Sequence, residues 1–320
     1  MGKLTCVAPE EGFLGLAAAD SVTYESAKAV IIPFGLERSV SYQGGTRLGP
    51  QAMIQASHEV ELFDEFFMRE TYRDIGLVTL EEAPIANTQE QAINQLAALV
   101  EQVLADKKFP FTFGGEHTIT AGCIRPFAAR YENLVILHFD AHADLRDGYQ
   151  GEKFSHAAAM RRCLDFPNIQ LVSLGIRNIS QSEIPFVEAN QDRVHIFYAK
   201  DKAQWSKEKI AALLQDRPIY LSFDVDGFDA SLMPATGTPE PGGLFWDEVL
   251  DIIQIASKAG NIVGADINEL APISGMHSCD FIAAKLAYKI LSYAFMNPKL
   301  AQYHLSQDDV PEYANQEYHS

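Results

Sequence analysis

Two stretches of this chain set acidic residues in alternation after an apolar run, the first with a histidine between them. One is Asp140-Ala141-His142-Ala143-Asp144, behind Leu134-Val135-Ile136-Leu137. The other is Ser222-Phe223-Asp224-Val225-Asp226-Gly227, behind Ile219-Tyr220-Leu221. Side chains two apart on an extended chain share a face, so Asp140, His142 and Asp144 are expected to converge at one strand end, and Asp224 and Asp226 at another. Ionisable groups gathered in this way repel, or are costly to bury, unless a cation holds them. Two further motifs, Gly114-Gly115-Glu116-His117-Thr118 and Ile267-Asn268-Glu269-Leu270, add His117 and Glu269. Taken singly, His117 suits a turn histidine and Asp224 a helix cap or loop residue. Taken together, Asp140, Asp144, Asp224 and Asp226 supply four carboxylates that two divalent cations neutralise, with His117 and His142 as imidazoles. Such a set suits manganese, and is compatible with iron, cobalt, nickel or zinc. A two-metal centre lowers the pKa of a bridging water and supplies hydroxide near neutral pH, which points to hydrolysis.

Other residues near these motifs have two readings each. His156, in Phe154-Ser155-His156, suits a proton shuttle or a structural histidine. Glu269 suits a partner for a cationic group or an ordinary polar residue closing a strand. His138 lies two residues deeper than Asp140 on the same face, and is expected to support the site without being a ligand. Asp229 and Asp266 could orient ligands through hydrogen bonds, or serve as carboxylates at the core boundary.

The elements that must position these groups follow from the apolar pattern. Apolar, β-branched runs at 29–34, 75–78, 109–113, 134–139, 169–175, 194–198, 219–223 and 262–267 predict strands. Helical periodicity between them predicts helices at 88–105, 206–214 and 246–259, the first opened by a capping-type Thr88. Strands alternating with helices predict an α/β fold with a mostly parallel, doubly wound sheet of about eight strands. In open sheets of this kind sites form at the carboxyl ends of strands, where His117, Asp140 and Asp224 fall. Two stretches rich in Gly and Pro, 42–50 and 234–243, read as loops, functional or simply surface turns. No linker, repeat or low-complexity run divides the chain, so 1–320 is expected to form one domain. A lead-in occupies 1–27, and disorder is the default expectation for the tail 305–320.

Composition narrows the classes further. At 47% hydrophobic and 21% charged residues the chain has the balance of a globular protein with a large core. A formal charge of −18 argues against nucleic acid or anionic lipid as partner, since both require basic surface. The four cysteines, Cys6, Cys123, Cys163 and Cys279, form no C-x-x-C pair, which fits a reducing compartment without thiolate metal sites. With no signal-like or membrane-length apolar segment, a cytoplasmic location is the expectation.

The three motifs Gly-Gly-Glu-His at 114–117, Asp-Ala-His-Ala-Asp at 140–144 and Ser-Phe-Asp-Val-Asp-Gly at 222–227, in this order, resemble those of the ureohydrolase family. That family includes arginases, agmatinases, guanidinobutyrases and formiminoglutamases. The resemblance runs from about Ala29 to Leu291, and the loops at 41–50 and 236–240 share it. It implies a three-layer α/β/α fold and a binuclear manganese site. One ion would be held by His117, Asp140, Asp144 and Asp224, the other by His142, Asp140, Asp224 and Asp226. A bridging hydroxide would attack the guanidinium carbon and release urea and an amine. Asp144 would hydrogen-bond the hydroxide, Glu269 hold the guanidinium, and His156 shuttle the proton. The resemblance also implies a small cationic guanidino substrate and a homo-oligomer, a trimer or hexamer.

Arginases resemble one another in an Asn two positions after the triplet's last Asp; Arg146 stands there in this chain. The run through Tyr149, Ser155-His156 and Met160-Arg161-Arg162 looks more like bacterial agmatinases, which implies conversion of agmatine to putrescine and urea. Asp147 and Glu152 are then the candidates for an acidic lining that meets the second positive charge of agmatine. The alternatives are hydrolysis of guanidinobutyrate or free guanidine, some with nickel in place of manganese, and more remotely arginase or formiminoglutamase activity. A silent metal-binding relative is expected to have lost a ligand or the shuttle, and none is lost here.

Overall fold

A computed structural model describes residues 4–296, so the expectation for the tail 305–320 lies outside the described residues. Eight strands form one sheet: β1 Ala29–Phe34, β2 Leu77–Thr79, β3 Phe109–Gly114, β4 Leu134–Phe139, β5 Ile169–Ile176, β6 Val194–Tyr198, β7 Pro218–Asp224 and β8 Asn261–Asn268. All neighbours are parallel, in the order β2-β1-β3-β8-β7-β4-β5-β6. Nearly every residue in β1, β3, β4 and β7 is buried, as parallel strands covered on both faces require.

Alternation along the strands feeds two cores. Val135, Leu137 and Phe139 of β4 pack on one face with the helices Gly49–Ser57, Trp246–Ala259 and His277–Phe295. Leu134 and Ile136 pack on the other face with Gln89–Ala105 and Thr120–Arg130. The result is the three-layer α/β/α arrangement. Thr88 caps its helix by accepting from the Gln91 N–H at 3.3 Å, and Ser206 caps Lys207–Leu214 from Lys209 at 3.0 Å.

Several boundaries differ from the sequence expectation. The run at 75–78 is split: Ile75 closes a helix Thr71–Ile75, Gly76 turns at φ 59°, and the strand starts at Leu77. The stretch 42–50 is a loop only in part, since a turn of 3-10 helix spans Thr46–Leu48 and Gly49–Ser57 begins an α-helix with Pro50 in its first turn. The lead-in carries two short 3-10 turns, Pro9–Glu11 and Ala18–Asp20. Among the described residues no helix is long and apolar enough to cross a membrane.

Candidate metal centre

The central strands β3, β8, β7 and β4 are contiguous, and each ends beside a motif. His117 follows β3, Glu269 follows β8, Asp224 ends β7, and Asp140 follows β4. The motifs therefore meet, but not by the strand alternation expected of them. Only Asp224 lies within a strand; Val225–Gly227 is a 3-10 turn, and Asp144 sits at φ 53° in a loop. Glu269 is likewise left-handed, at φ 64°. Non-glycine residues held in this region concentrate at functional sites, where surrounding structure supports the strain. Gly115 makes the assembly possible, because a Cβ there would lie 2.1 Å from the Leu36 carbonyl oxygen.

Backbone amides hold one oxygen of each of three carboxylates and leave the other to the centre. Asp140 Oδ1 accepts from the His142 N–H at 2.5 Å, Asp224 Oδ1 from Asp226 at 2.9 Å, and Asp226 Oδ1 from Ala141 at 2.9 Å. Carboxylate oxygens gather around two imidazoles. His117 Nδ1 lies 3.0 Å from Asp140 Oδ2, 3.2 Å from Asp144 Oδ2 and 3.3 Å from Asp224 Oδ2. His142 Nδ1 lies 3.0 Å from Asp226 Oδ2 and 3.5 Å from Asp140 Oδ1.

This donor set fits divalent cations. His117 Nε2 lies 2.9 Å from Ser222 Oγ, and the single Ser222 proton goes to Asp266 Oδ1 at 2.8 Å. His117 Nε2 must then donate, which leaves Nδ1 facing three carboxylates; burial works against a proton there, but Asp140, Asp144 and Asp224 outweigh it and raise the ring well above its ordinary value. One extra ring proton reaches a single oxygen; a cation reaches all three. Nitrogen and carboxylate oxygen in this mixture suit manganese and its neighbours. Asp266 is fully buried and also takes bonds from Tyr220, Thr120 and Asn268, so it orients His117 through Ser222. Asp229 does not reach the cluster; it binds the Gly242 and Gly243 N–H groups and shapes the loop there.

His138 is the one ambiguous neighbour. Its Nε2 lies 2.8 Å from Asp140 Oδ2 and its Nδ1 2.9 Å from Ser173 Oγ, so it could hold a metal with His117 and Asp140. Asp140, His142 and Asp226 form a second such group.

The crowding is visible in the proton affinities. Burial, then the nearby Asp140, pushes Asp144 up to about 6. Burial, then Asp226 and Asp140, pushes Asp224 well up. Burial also acts on Asp140, but bonds from His117, His138 and His142 outweigh it and hold the carboxyl well down. In His142 burial is likewise overcome, by Asp226 and Asp140, and the ring rises to about 12. Such opposed shifts mark groups competing for too little positive charge.

A cavity of about 280 Å³ opens over the cluster, lined by His117, His142, Asp144, Asp224, Asp226, Glu269 and His156. Glu269 accepts from the His117 N–H at 2.7 Å, and burial holds its carboxyl well above the usual range. His156 lies between Ser39 and Ser41, with Nε2 2.8 Å from Ser41 Oγ. Gln43, Thr236, Gly237 and Thr238 bring both Gly- and Pro-rich stretches to the cavity wall.

Neither Asp147 nor Glu152 lines the cavity. Asp147 is 79% exposed and pairs with Arg162 at 2.7 Å. Beyond Asp144, Asp224, Asp226 and Glu269, the carboxylate in the wall is Glu183, whose oxygens accept from Leu145 at 2.8 Å and Ser180 at 2.5 Å. Arg146 also lines the wall, its guanidinium 5.1 Å from the Tyr149 ring, which in turn stands edge-on 5.6 Å from His156. Ser39 and Glu183 carry no motif signal, and only long-range contacts reveal them.

A profile of the arginase family matches residues 27–293. The chain is 34% identical over 282 residues to the N(1)-aminopropylagmatine ureohydrolase of Synechocystis sp., covering 85% of this chain and 90% of that protein. It is 33% identical over 257 residues to the agmatinase of Bacillus cereus, covering 78% and 86%. The solved agmatine ureohydrolase of Thermoplasma volcanium superposes with a TM-score of 0.77 at 30% identity, covering 90% of this chain and 96% of that one. Motif order, fold and similarity converge: the chain belongs to the arginase family of ureohydrolases, enzymes that hydrolyse amidino C–N bonds, and stands close to its agmatinases.

Proposed function

We propose that the chain hydrolyses agmatine, or a close N-substituted analogue, to urea and an amine. The observation that carries this reading is His117 Nδ1 lying 3.0, 3.2 and 3.3 Å from carboxylate oxygens of Asp140, Asp144 and Asp224 beneath a cavity that Glu269 and His156 also line. His117, Asp140, Asp144 and Asp224 would hold one manganese ion, and His142, Asp140, Asp224 and Asp226 a second. When bound, such a pair would supply hydroxide near neutral pH. Asp144 accepts a hydrogen bond from the attacking group, and Glu269 holds the guanidinium N–H groups. His156 passes a proton to the leaving amine nitrogen as the C–N bond breaks. Nickel is the alternative ion for the same ligands.

The names of two relatives support agmatine and its aminopropyl derivative as substrates. A guanidino carboxylate such as guanidinobutyrate is the second reading, favoured by Arg146, a cation in the wall that could meet a carboxylate. A urea-release panel of agmatine, N1-aminopropylagmatine, guanidinobutyrate, free guanidine and arginine, run with manganese and with nickel, separates these. Agmatine or its aminopropyl derivative should exceed arginine in kcat/KM by at least about 100-fold, roughly 3 kcal/mol of discrimination. Guanidinobutyrate turning over fastest would displace the agmatine reading, and inertness toward the whole panel would remove the enzymatic one. The same reading includes a homo-oligomer and one domain across the chain.

A further inference from the structure

We infer that Ser39, held by the buried Glu116 carboxylate, sets the ring tautomer of His156 and leaves Nε2 as the nitrogen that exchanges a proton at the cavity. This rests on the proposed shuttle role of His156 for its consequence, though not for its geometry.

Glu116 sits inside the Gly-Gly-Glu-His motif yet touches none of the six clustered groups by hydrogen bond. It is wholly buried, and five donors surround it: the N–H groups of Arg38 at 2.6 Å and Ser39 at 2.5 Å, Ser39 Oγ at 3.0 Å, Gln89 Nε2 at 2.5 Å and Thr118 Oγ1 at 2.7 Å. A carboxylate among donors only accepts, so the Ser39 hydroxyl gives its one proton to Glu116. What Ser39 Oγ then turns toward His156 is lone pairs. The His156 N–H lies 3.0 Å from that oxygen and His156 Nδ1 3.1 Å from it.

Proton counting fixes the ring. Nδ1 must carry a hydrogen, because a bare Nδ1 would face another acceptor. In the neutral ring Nε2 is then the acceptor, and Ser41 Oγ, 2.8 Å away and itself in the cavity wall, can donate to it. The opposite tautomer would turn an N–H into the cavity and leave no lone pair to collect a proton for the leaving amine. Tyr149, edge-on at 5.6 Å, limits rotation of the ring. Ser39 and Glu116 are thus positioning residues. They act on the proton transfer through a nitrogen that never meets the substrate.

The test reads the tautomer directly. Full-length chain labelled with 15N-histidine and loaded with diamagnetic zinc should show, in two-bond 1H–15N correlations, a His156 ring protonated at Nδ1; the signal is assigned by its loss in His156→Asn. Ser39→Ala should shift His156 toward the Nε2–H form while zinc content per chain stays native. With manganese, Ser39→Ala should lower kcat roughly tenfold, the scale of losing a supporting partner. KM should stay within about twofold. Ser39→Thr, which keeps the hydroxyl, should restore both spectrum and kcat. An Nε2–H ring in the native chain overturns the inference, and so does a native His156 spectrum in Ser39→Ala. Native kcat in His156→Asn would instead sink the shuttle role and leave the tautomer measurement standing by itself.

Discussion

The His117 ring and the Ser222 hydroxyl meet at 2.9 Å, and that contact decides which face of the imidazole is bare. Asp266 takes the Ser222 proton at 2.8 Å, so His117 donates through Nε2 and offers Nδ1 to the carboxylates. A Ser222→Ala chain keeps every ligand but loses this constraint. Its metal affinity is expected to fall about 10- to 100-fold, read by isothermal titration with manganese. Unchanged affinity would remove Asp266 and Ser222 from the support of the site.

Asp140 and Asp224 each contribute to both proposed ion sites, whereas Asp226 contributes to one. Asp140→Ala and Asp224→Ala should lose both metals by elemental analysis and release no detectable urea. Asp226→Ala should retain one metal per chain. One metal retained in Asp140→Ala would refute its bridging role.

His156→Asn should bind two metals per chain yet lose about 10²- to 10⁴-fold in kcat, the usual span for a general acid or base. Loss of metal in this variant would mean that the histidine supports the cluster instead of the reaction.

His156 also links stability to pH. Burial, then the nearby His142, lowers its pKa to about 4, below the ordinary 6.5. The unfolded chain therefore binds the extra proton first, and the stabilising contribution of the neutral ring is present above about 6.5 and lost as pH falls toward 4. Urea unfolding of the EDTA-treated chain should show the native protein and His156→Asn converging in stability over that window. A gap that widens as pH falls would contradict the sign.

Lys289 lies in the helix His277–Phe295 and pairs with Asp64 at 3.1 Å, both 1% exposed. Its second partner, Glu65, is 70% exposed and contributes little. Lys289→Ala strands the Asp64 charge in the interior and should cost about 3–5 kcal/mol by chemical denaturation. Since neither carboxylate lines the cavity, kcat of the folded fraction should stay native. A loss under about 1 kcal/mol would mean that water reaches Asp64 after the change.

Several parts of the fold were legible because their signals are local. Continuous apolar runs marked the strands to within a few residues, β1, β4 and β6 to the residue; β1 and β4 are covered on both faces, which makes such strands almost wholly apolar. Thr88 and Ser206 announced two helix starts by their hydroxyls. Thr120–Arg130 escaped because Gly122 and Pro126 read as breakers. His277–Phe295 escaped because residues 286–294 are buried without a break, which erases the stripe that periodicity detects.

The sequence by itself determined the chemistry: which carboxylates and imidazoles are present, in what order, and at which strand ends. Those properties depend on residue type and short spacing, and both are written along the chain. Tertiary structure alone decided that β3, β8, β7 and β4 are neighbours, so that His117, Glu269, Asp224 and Asp140 meet. It also decided that Glu183 and Arg146 line the cavity while Asp147 and Glu152 do not, and that Ser39 lies between Glu116 and His156. Parallel strands pair across long separations, and spacing encodes which face a side chain takes but not which strand lies beside it. A hydrogen bond spanning 117 residues, as from His156 to Ser39, leaves no local trace in the chain.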